Sequence, residues 1–392
     1  MLLDTVRPGI AVMLERRPVL PERLALLCNA SSLTPDWEPV QVALLKAGYD
    51  VVRLLAPEHG LQGALAAGAE VARGRDLFTG LPVEPAYGPG CDFDRALEGV
   101  CGLLVDLQDI GARYYTYVAT ALRVIDACWQ RDIPVWILDR PNPLGGRVRT
   151  GPVWIRADHR SLVAAMEVPI RHGLTMGELV RLQVARRGDQ VPLQVIPCSG
   201  WDRRHRWHAT GLPWVPPSPA ATDEIMMALY PGTCLLEGLN VSFGRGTALP
   251  FRVVGAPWME APVLWRRLKE SVPAGVRVRP HSFVPACHPY RDQLCRGVAL
   301  DVESGAEFDA VALGLEIIAA VRQLFPDRVR WRKADGRPWI DRLLGRPDER
   351  LLLEQGLSVE RIAEGWRREV EQFEAELATA DCLLPEYGEE WR

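Results

Sequence analysis

The stretch "RLALLCNASSLTPDWEPVQVALLKAGYDVVRLLAPEHG" (residues 23–60) reads as a strand, a helix and a second strand. Its apolar runs lie within residues 23–32 and 49–60, and such continuous runs are typical of strands buried on both faces of a parallel sheet. Between them, "DWEPVQVALLKAG" has the spacing of a short helix and ends at a glycine. The stretch therefore predicts the strand–helix–strand unit from which α/β folds are built.

The same alternation continues along the chain. Further apolar runs are "VCGLLVDLQDIGAR" (100–113), "IPVWILDRPNPLGG" (133–146) and "LQVIPCSGW" (193–201), and a helical pattern at 114–132 separates the first two. The segment 174–188 predicts another helix, and its Thr175 and Glu178 match a capping box, which makes Glu178 structural. This order of elements predicts the α/β class, with a doubly wound sheet.

The sequence pattern changes near residue 250. A helix is predicted at 261–272, a strand at 296–304 and a second helix at 309–325. The last predicted helix, at 358–377, carries an apolar stripe. Its members are Ile362, Trp366, Val370, Phe373 and Leu377. We expect two domains, 1–250 and 251–392.

Composition excludes several classes of partner and compartment. The 392 residues carry a formal net charge of -4 without a block of Lys or Arg, which argues against nucleic acid and membrane surfaces as partners. The nine cysteines form no CxxC pair, and the spacing of His281, Cys287, His288 and Cys295 fits no standard metal site. The N-terminus has no signal-peptide pattern. We expect a cytoplasmic protein, or a periplasmic or secreted one if the N-terminus was trimmed.

Three common enzyme motifs are absent from the sequence. The first strand is followed by "CNASSLTPD" rather than a G-x-G-x-x-G loop, so a dinucleotide site is unsupported. The chain also lacks a P-loop and a G-x-S-x-G nucleophile elbow. These observations argue against nucleotide hydrolysis and against a serine hydrolase of the elbow type.

Polar side chains follow each of the first four predicted strands, where ligands bind in open α/β sheets. They are Asn29, Ser31 and Ser32 after the first strand, Glu58 and His59 after the second, Asp106, Gln108, Asp109 and Arg113 after the third, and Asp139, Arg140 and Asn142 after the fourth. Structural roles explain some of them equally well: Asp139 precedes a turn, and Asp106 can pair with backbone or an arginine.

Glu58 is the strongest catalytic candidate among these residues. It follows a proline, precedes His59 and a glycine, and has no helix to cap. A carboxyl group at the end of an apolar strand is partly withdrawn from water, which disfavours its charged form and suits a general acid. The bottom-up pattern therefore predicts acid–base chemistry at the end of the second strand.

Seven ordered segments resemble the NamZ-like exo-β-N-acetylmuramidases, bacterial glycoside hydrolases that release N-acetylmuramic acid (MurNAc) from peptidoglycan fragments. They are "APEHGLQG", "DLQDIGARYYTY", "LDRPNPLGG", "PIRHGLTMGEL", "GLPWVPPSP", "YPGTCLLEGLNVSFGRGT" and "FRVVGAPW". The resemblance runs from about residue 8 to "CLLPEY" near the C-terminus. It implies a Rossmann-like, mostly parallel domain and a smaller α+β C-terminal domain that completes the cleft, without metal or cofactor.

The resemblance also implies site residues. The family's catalytic glutamate falls on Glu58, and a second acid falls on Glu237. With Glu58 as the general acid, we expect His59 to tune or orient it. The second catalytic role remains open between Glu237, Asp109, Asp139 and the acetamido group of the substrate itself. Two departures stand out: Ala220 occupies a position where family members usually carry asparagine, and many members are exported.

Substrate binding is expected from residues within the same segments. They are Asn29, Arg113, Tyr114, Tyr117, Asp139, Arg140, Asn142, His172, Asn240 and Arg245. The lactyl carboxylate of MurNAc requires a cationic partner, for which Arg113, Arg140, Arg171 and Arg245 are candidates.

The long irregular region 199–222 carries Trp201, Trp207 and Trp214, which either stack on sugar rings or pack the loop down. The expected substrates are MurNAc-containing disaccharides or muropeptides. The alternative functions are a non-catalytic muropeptide-binding protein on the same scaffold and an unrelated hydrolase.

Overall fold

The computed structural model describes residues 5–188 and 191–388. Within these ranges the N-terminal part of the chain forms a seven-stranded sheet. Its strands are β1 (Leu24–Leu27), β2 (Val51–Ala56), β3 (Gly74–Arg75), β4 (Pro82–Pro85), β5 (Gly102–Val105), β6 (Val135–Leu138) and β7 (Leu193–Ile196). Their spatial order is β3-β4-β2-β1-β5-β6-β7, and only the short edge strand β3 is antiparallel to its neighbour among these strands.

The parallel strands have the Rossmann order. Without β3, the sheet runs third, second, first, fourth, fifth and sixth along the chain, so the winding reverses between β1 and β5. The five strands expected from apolar runs are confirmed. Strands β3 and β4 were not predicted, because β3 has two residues and β4 is bounded by Pro82 and Pro85, which weaken a strand pattern.

Helices cover both faces of this sheet. They are α1 (Gly9–Arg16), α2 (Val40–Lys46), α3 (Phe93–Ala96), α4 (Thr116–Trp129) and α5 (Met176–Arg187). Leu24 and Leu26 of β1 pack in the cluster with α1 and α2, whereas Ala25 and Leu27 pack in the cluster with α4 and α5. Because successive strand side chains point to opposite faces, this division confirms a doubly wound sheet.

The C-terminal part is a smaller α+β assembly. Strands β8 (Val253–Ala256), β9 (Val276–Phe283) and β10 (Cys295–Val302) form an antiparallel sheet in the order β8-β10-β9, and β11 (Lys333–Ala334) pairs with β12 (Arg337–Pro338). The helices are α6 (Glu224–Thr233), α7 (Ala261–Lys269), α8 (Ala310–Leu324), α9 (Trp339–Leu344), α10 (Asp348–Glu354) and α11 (Val359–Leu377). The expected apolar stripe of α11 is confirmed, since four of its five members are buried and Val370 is partly buried.

Helices α6 and α8 approach each other closely through two glycines. A Cβ atom on Gly232 would lie 1.7 Å from the Ala310 carbonyl oxygen, and one on Gly314 would lie 2.2 Å from that of Gly232. Any side chain at either position would therefore force the helices apart. The contact ties residues 224–233 to the C-terminal helices, and the boundary near residue 250 stays a prediction.

The C-terminal tail returns to the N-terminal sheet. The predicted capping box of Thr175 and Glu178 is present, and Glu178 also pairs with the buried Arg203 and accepts the Leu384 N–H. Nearby, the Tyr387 hydroxyl accepts the Cys198 N–H and donates to Asp139. Buried polar groups thus hold the tail in place.

Two negative expectations concern cysteines and membranes. The nine cysteines all lie within the described ranges and are free thiols. None of the helices in residues 5–188 and 191–388 combines the length and the apolar character that a bilayer span needs.

Candidate active site

A cavity of about 710 Å³ lies where the carboxyl end of β2 faces the C-terminal assembly. Glu58 and His59 line it from the loop after β2, and Thr116 lines it from the first turn of α4. Glu237 and Arg245 line it from the segment between α6 and β8. The cavity therefore collects residues from both parts of the chain.

The Rossmann switch point itself is filled by protein. The Arg140 Nε lies 2.5 Å from Asp106 Oδ1, and the Ser32 hydroxyl donates to the Asp106 carbonyl at 2.6 Å. Only about 30 Å³ of open space remains beside Ser31, Gln108 and Arg140, roughly the volume of one water molecule. The large cavity is thus displaced from the usual Rossmann crevice towards β2.

Glu58 is 7% exposed, and three donors surround its carboxyl group. The Gly68 N–H donates to Oε1 at 2.7 Å, the Thr116 hydroxyl donates to Oε2 at 2.6 Å, and the Tyr87 hydroxyl also hydrogen-bonds to Glu58. A backbone N–H can only donate, whereas a hydroxyl can donate or accept. Oε2 can therefore hold a proton or accept one without breaking the network.

Tyr87 stays a hydrogen-bond donor at neutral pH. Burial, together with the negative charge and hydrogen bond of Glu58, raises the pKa of Tyr87 to about 12. Its hydroxyl is therefore protonated throughout the range in which most enzymes work.

His59 shapes the loop that carries Glu58. Its φ of 70° lies in the left-handed region, which is uncommon for a non-glycine residue and often marks a functional site. Nδ1 lies 2.7 Å from the Leu65 carbonyl oxygen, so Nδ1 carries a proton and Nε2 of a neutral ring is left as an acceptor. His59 thus anchors the 59–65 turn at the cavity edge.

Glu237, Arg245 and Trp339 form a connected cluster in the cavity lining. Arg245 Nη2 donates to Glu237 Oε1 at 2.7 Å, and Trp339 Nε1 donates to Oε2 at 3.3 Å. The Arg245 guanidinium lies 5.6 Å from the ring centre of Phe243 and 5.1 Å from that of Phe251. Burial lowers the pKa of Arg245, but the Glu237 carboxylate outweighs that effect and the net pKa is raised, so the group is charged.

Three other expected binding residues lie in or beneath the cavity. Tyr114 lines it, with its hydroxyl donated to the Pro231 carbonyl. Asn29 Nδ2 donates to the Tyr117 hydroxyl at 2.7 Å and to the Pro217 carbonyl at 2.9 Å. The Tyr117 hydroxyl also reaches the Glu58 carbonyl at 3.4 Å, so Asn29 and Tyr117 support the loops from below.

The structure places Asp139, Arg140 and Asn142 away from the cavity lining. Asp139 accepts bonds from the Thr175 hydroxyl, the Gly177 N–H and the Tyr387 hydroxyl, and burial raises its pKa to about 6. Arg140 is held by Asp106. Asn142 bridges the backbone of Leu144 and Leu174. All three tie loops to the sheet rather than face the cavity.

Arg113 is likewise a structural residue in this geometry. Its guanidinium donates to five backbone carbonyls, those of Pro152, Val153, Val168, Leu343 and Leu344. Burial lowers the pKa of Arg113 to about 10. Those carbonyls occupy the Nη1 and Nη2 donors of Arg113, which a lactyl carboxylate would need.

Asp109, His172 and Asn240 also lie outside the cavity lining. His172 Nε2 is 3.2 Å from Asp109 Oδ2, and both side chains are buried. Asn240 holds the backbone of Arg328 and Arg330 at the surface. Asp109 therefore lies outside the lining of the cavity that contains Glu58, and its carboxyl group faces His172 instead.

The three tryptophans of region 199–222 pack the loop. Trp201 is 1% exposed and stacks edge-on against Tyr387, and Trp207 meets Trp214 in the same way. Trp214 also donates to the Ala221 carbonyl. The loop contributes Ser218, Pro219 and Ala220 to the cavity, so the departure at Ala220 falls at the site itself.

Sequence reasoning missed Gly68, Tyr87, Thr116 and Trp339. Tyr87 follows β4, a strand that the apolar pattern did not predict. Thr116 lies in the "YYTY" segment quoted above, so its position in a family motif was a signal for it. Among residues 5–188 and 191–388, no three histidine, cysteine or carboxylate side chains converge as a metal site would require, and His281, Cys287, His288 and Cys295 form no such group.

Comparison with known proteins identifies the family. The model of the N-terminal domain of exo-β-N-acetylmuramidase NamZ matches residues 24–224, and the model of its C-terminal domain matches residues 228–381. The chain is 33% identical over 373 residues to the peptidoglycan β-N-acetylmuramidase NamZ of Bacillus subtilis (strain 168), covering 95% of this chain and 88% of that protein.

Two crystal structures of DUF1343 family proteins from Bacteroides fragilis share the fold. One has a TM-score of 0.87 at 27% identity and the other 0.75 at 29%, and each comparison covers 96% of this chain and 98% of the other. The two matching domain models together span most of the sequence, in the order that the motifs indicated. The chain therefore belongs to the NamZ family of exo-β-N-acetylmuramidases.

Proposed function

We propose that this protein is an exo-β-N-acetylmuramidase that hydrolyses the β-1,4 bond of a MurNAc residue at the non-reducing end of peptidoglycan fragments. The observation that carries the proposal is the carboxyl group of Glu58, which lies in a cavity with a fixed donor on one oxygen and a hydroxyl on the other. Family membership supports the substrate class. The cavity volume lies in the range of small-molecule sites.

Glu58 acts as the general acid in this reaction. Its proton passes to the glycosidic oxygen while the bond from that oxygen to C1 of MurNAc breaks. The resulting carboxylate accepts from Gly68, Tyr87 and Thr116, which stabilises the charge left on Glu58. The same carboxylate then takes a proton from the water that completes hydrolysis.

The acetamido group of the substrate is the internal nucleophile. Its carbonyl oxygen bonds to C1 as the leaving group departs, which closes a five-membered oxazolinium ring. Water then attacks C1 and breaks that new C1–O bond, so two displacements retain the configuration at C1. Two features support this assignment. Asp109 and Asp139 lie outside the described cavity lining, and both oxygens of Glu237 already accept hydrogen bonds.

The substrates are MurNAc–GlcNAc disaccharides and muropeptides with MurNAc at the non-reducing end. Incubation with the disaccharide should release free MurNAc. Glu58→Gln should lower kcat roughly 100- to 10,000-fold, because the amide cannot supply the proton. Glu70→Gln, an exposed carboxylate of the same loop region, is the matched control and should keep wild-type activity.

The same experiment distinguishes a non-catalytic binder. Wild-type protein that binds the disaccharide but releases no MurNAc would contradict the enzymatic proposal. Full activity in Glu58→Gln would contradict only the assignment of the acid.

A further inference from the structure

Two arginines line the cavity within the described part of the chain, and their surroundings differ. Arg342 Nη2 lies 2.7 Å from Asp335 Oδ2, and the Asp335 side chain is 83% exposed. Arg245 is held by Glu237 and by two aromatic rings. A cation packed this way is oriented before any ligand arrives, which lowers the entropy lost on binding.

Arg245 has unused donors. Of its five N–H groups, one on Nη2 bonds to Glu237 Oε1. Nε is buried without an acceptor, and Nη1 makes no hydrogen bond to any described residue. A buried N–H without an acceptor is unfavourable, and an incoming carboxylate could accept from Nε and from the more exposed Nη1.

Glu237 is suited to hold Arg245 rather than to attack the sugar. Its Oε1 faces Arg245 Nη2 and its Oε2 faces Trp339 Nε1, so each oxygen already has a donor. A carboxylate held by donors on both oxygens must give up one of those hydrogen bonds before it can attack the sugar. The charge of Glu237 keeps Arg245 protonated, and the hydrogen bond between them fixes the position of Nη2.

We propose that Arg245 binds the carboxylate of the 3-O-lactyl group of MurNAc, and that Glu237 is the residue that positions it. The pair then sets the preference for MurNAc over N-acetylglucosamine (GlcNAc), which lacks the lactyl group. This inference rests on the proposed function, since it assigns a subsite to the same substrate. Under this proposal Glu237 positions Arg245 for substrate selection and is not the second catalytic carboxylate.

Chromogenic β-glycosides test the carboxylate directly. Three are needed, carrying MurNAc, MurNAc with its lactyl carboxylate converted to the methylamide, and GlcNAc. The wild type should prefer MurNAc over the methylamide by roughly 10- to 100-fold in kcat/KM, the range for one charged hydrogen-bonded pair. Arg245→Met should abolish most of that preference, mainly through KM on the MurNAc glycoside, while turnover of the methylamide changes little.

Two further variants sharpen the test. Glu237→Gln should raise KM for the MurNAc glycoside with kcat within a few-fold of wild type, whereas a catalytic carboxylate would lose about 100-fold or more in kcat on all three glycosides. Arg342→Met is the comparison cation and should keep the preference for MurNAc over the methylamide. Arg245→Lys, which retains the charge, serves if Arg245→Met does not fold.

The outcomes separate this inference from the proposed function. Wild type that hydrolyses none of the three glycosides would contradict the enzymatic function itself. Active wild type with equal kcat/KM on MurNAc and its methylamide would overturn the lactyl subsite. An unchanged preference in Arg245→Met, or its loss in Arg342→Met alone, would overturn the assignment to Arg245.

Discussion

The hydroxyl of Thr116 lies 2.6 Å from Oε2 of Glu58. Thr116 is the first residue of α4, the helix that follows β5, whereas Glu58 is the second residue after β2. The carboxyl group that follows β2 therefore contacts the N-terminus of the helix that follows β5. The positive end of a helix favours negative charge, which develops on Glu58 once its proton has left.

Replacing the Thr116 hydroxyl should slow the chemical step. Thr116→Val keeps the shape of the side chain but removes a donor to a charged carboxylate, an interaction that contributes about 1.5–3 kcal/mol. We expect kcat on a chromogenic MurNAc glycoside to fall roughly tenfold or more, with little change in KM.

Thr116→Ser is the control for this prediction, since it retains the hydroxyl and should keep most of the activity. Equal kcat values for the valine variant and the wild type would show that the contact with Glu58 does not support catalysis.

The apolar runs predicted five of the six parallel strands, all except β4, and "PEHG" pointed to Glu58. Burial on both faces leaves a clear apolar signature, and a carboxyl group at the end of such a strand is conspicuous. The short strand β4 carries no such signature, which is why Tyr87 was missed.

Residue type at a strand end does not reveal which polar atoms are already occupied. Arg113 and Asp139 have the right chemistry for a site, yet backbone carbonyls and capping groups use their hydrogen bonds. The cluster of Glu237, Arg245 and Trp339 depends on a contact between residues 102 positions apart in the chain. Only tertiary structure distinguishes loop anchors from ligand contacts.

Arg113 should matter for stability rather than for binding. Lysine has fewer donors in a different geometry and would leave several of the five buried carbonyls unsatisfied. Arg113→Lys should lower the free energy of unfolding by about 3 kcal/mol, measured by urea denaturation.

Arg123→Lys on the exposed face of α4 is the matched control, and it should change stability by less than about 0.5 kcal/mol. Wild-type stability in Arg113→Lys combined with a raised KM would instead indicate that Arg113 contacts the substrate.

Participation of the acetamido group predicts both stereochemistry and reactivity. Proton NMR should show the β anomer of MurNAc as the first product, because two displacements at C1 restore the configuration. Fluorine atoms added to the acetyl group withdraw electrons from its carbonyl oxygen, so kcat should fall with each one. The α anomer as first product would contradict this mechanism, and so would rates that are insensitive to fluorination.

Asp139 should make the stability of the protein depend on pH. Burial raises its pKa from about 3.8 to about 6 in the folded state. Between these values the folded protein holds a proton that the unfolded chain has released, so this group makes the free energy of unfolding fall as pH rises. Raising the pH from 4 to 7 therefore lowers the free energy of unfolding by about 2 kcal/mol through Asp139.

Asp139→Asn removes this titration while it keeps a side chain of the same shape. Relative to wild type, the free energy of unfolding of the variant should improve by about 2 kcal/mol between pH 4 and pH 7, with most of the change between pH 4 and pH 6. Urea denaturation at several pH values measures the difference, and Asp36→Asn, an exposed carboxylate, gives the baseline. A difference that stays constant with pH would mean that Asp139 ionises as readily when folded as when unfolded, because the hydrogen bonds from Thr175, Gly177 and Tyr387 offset its burial.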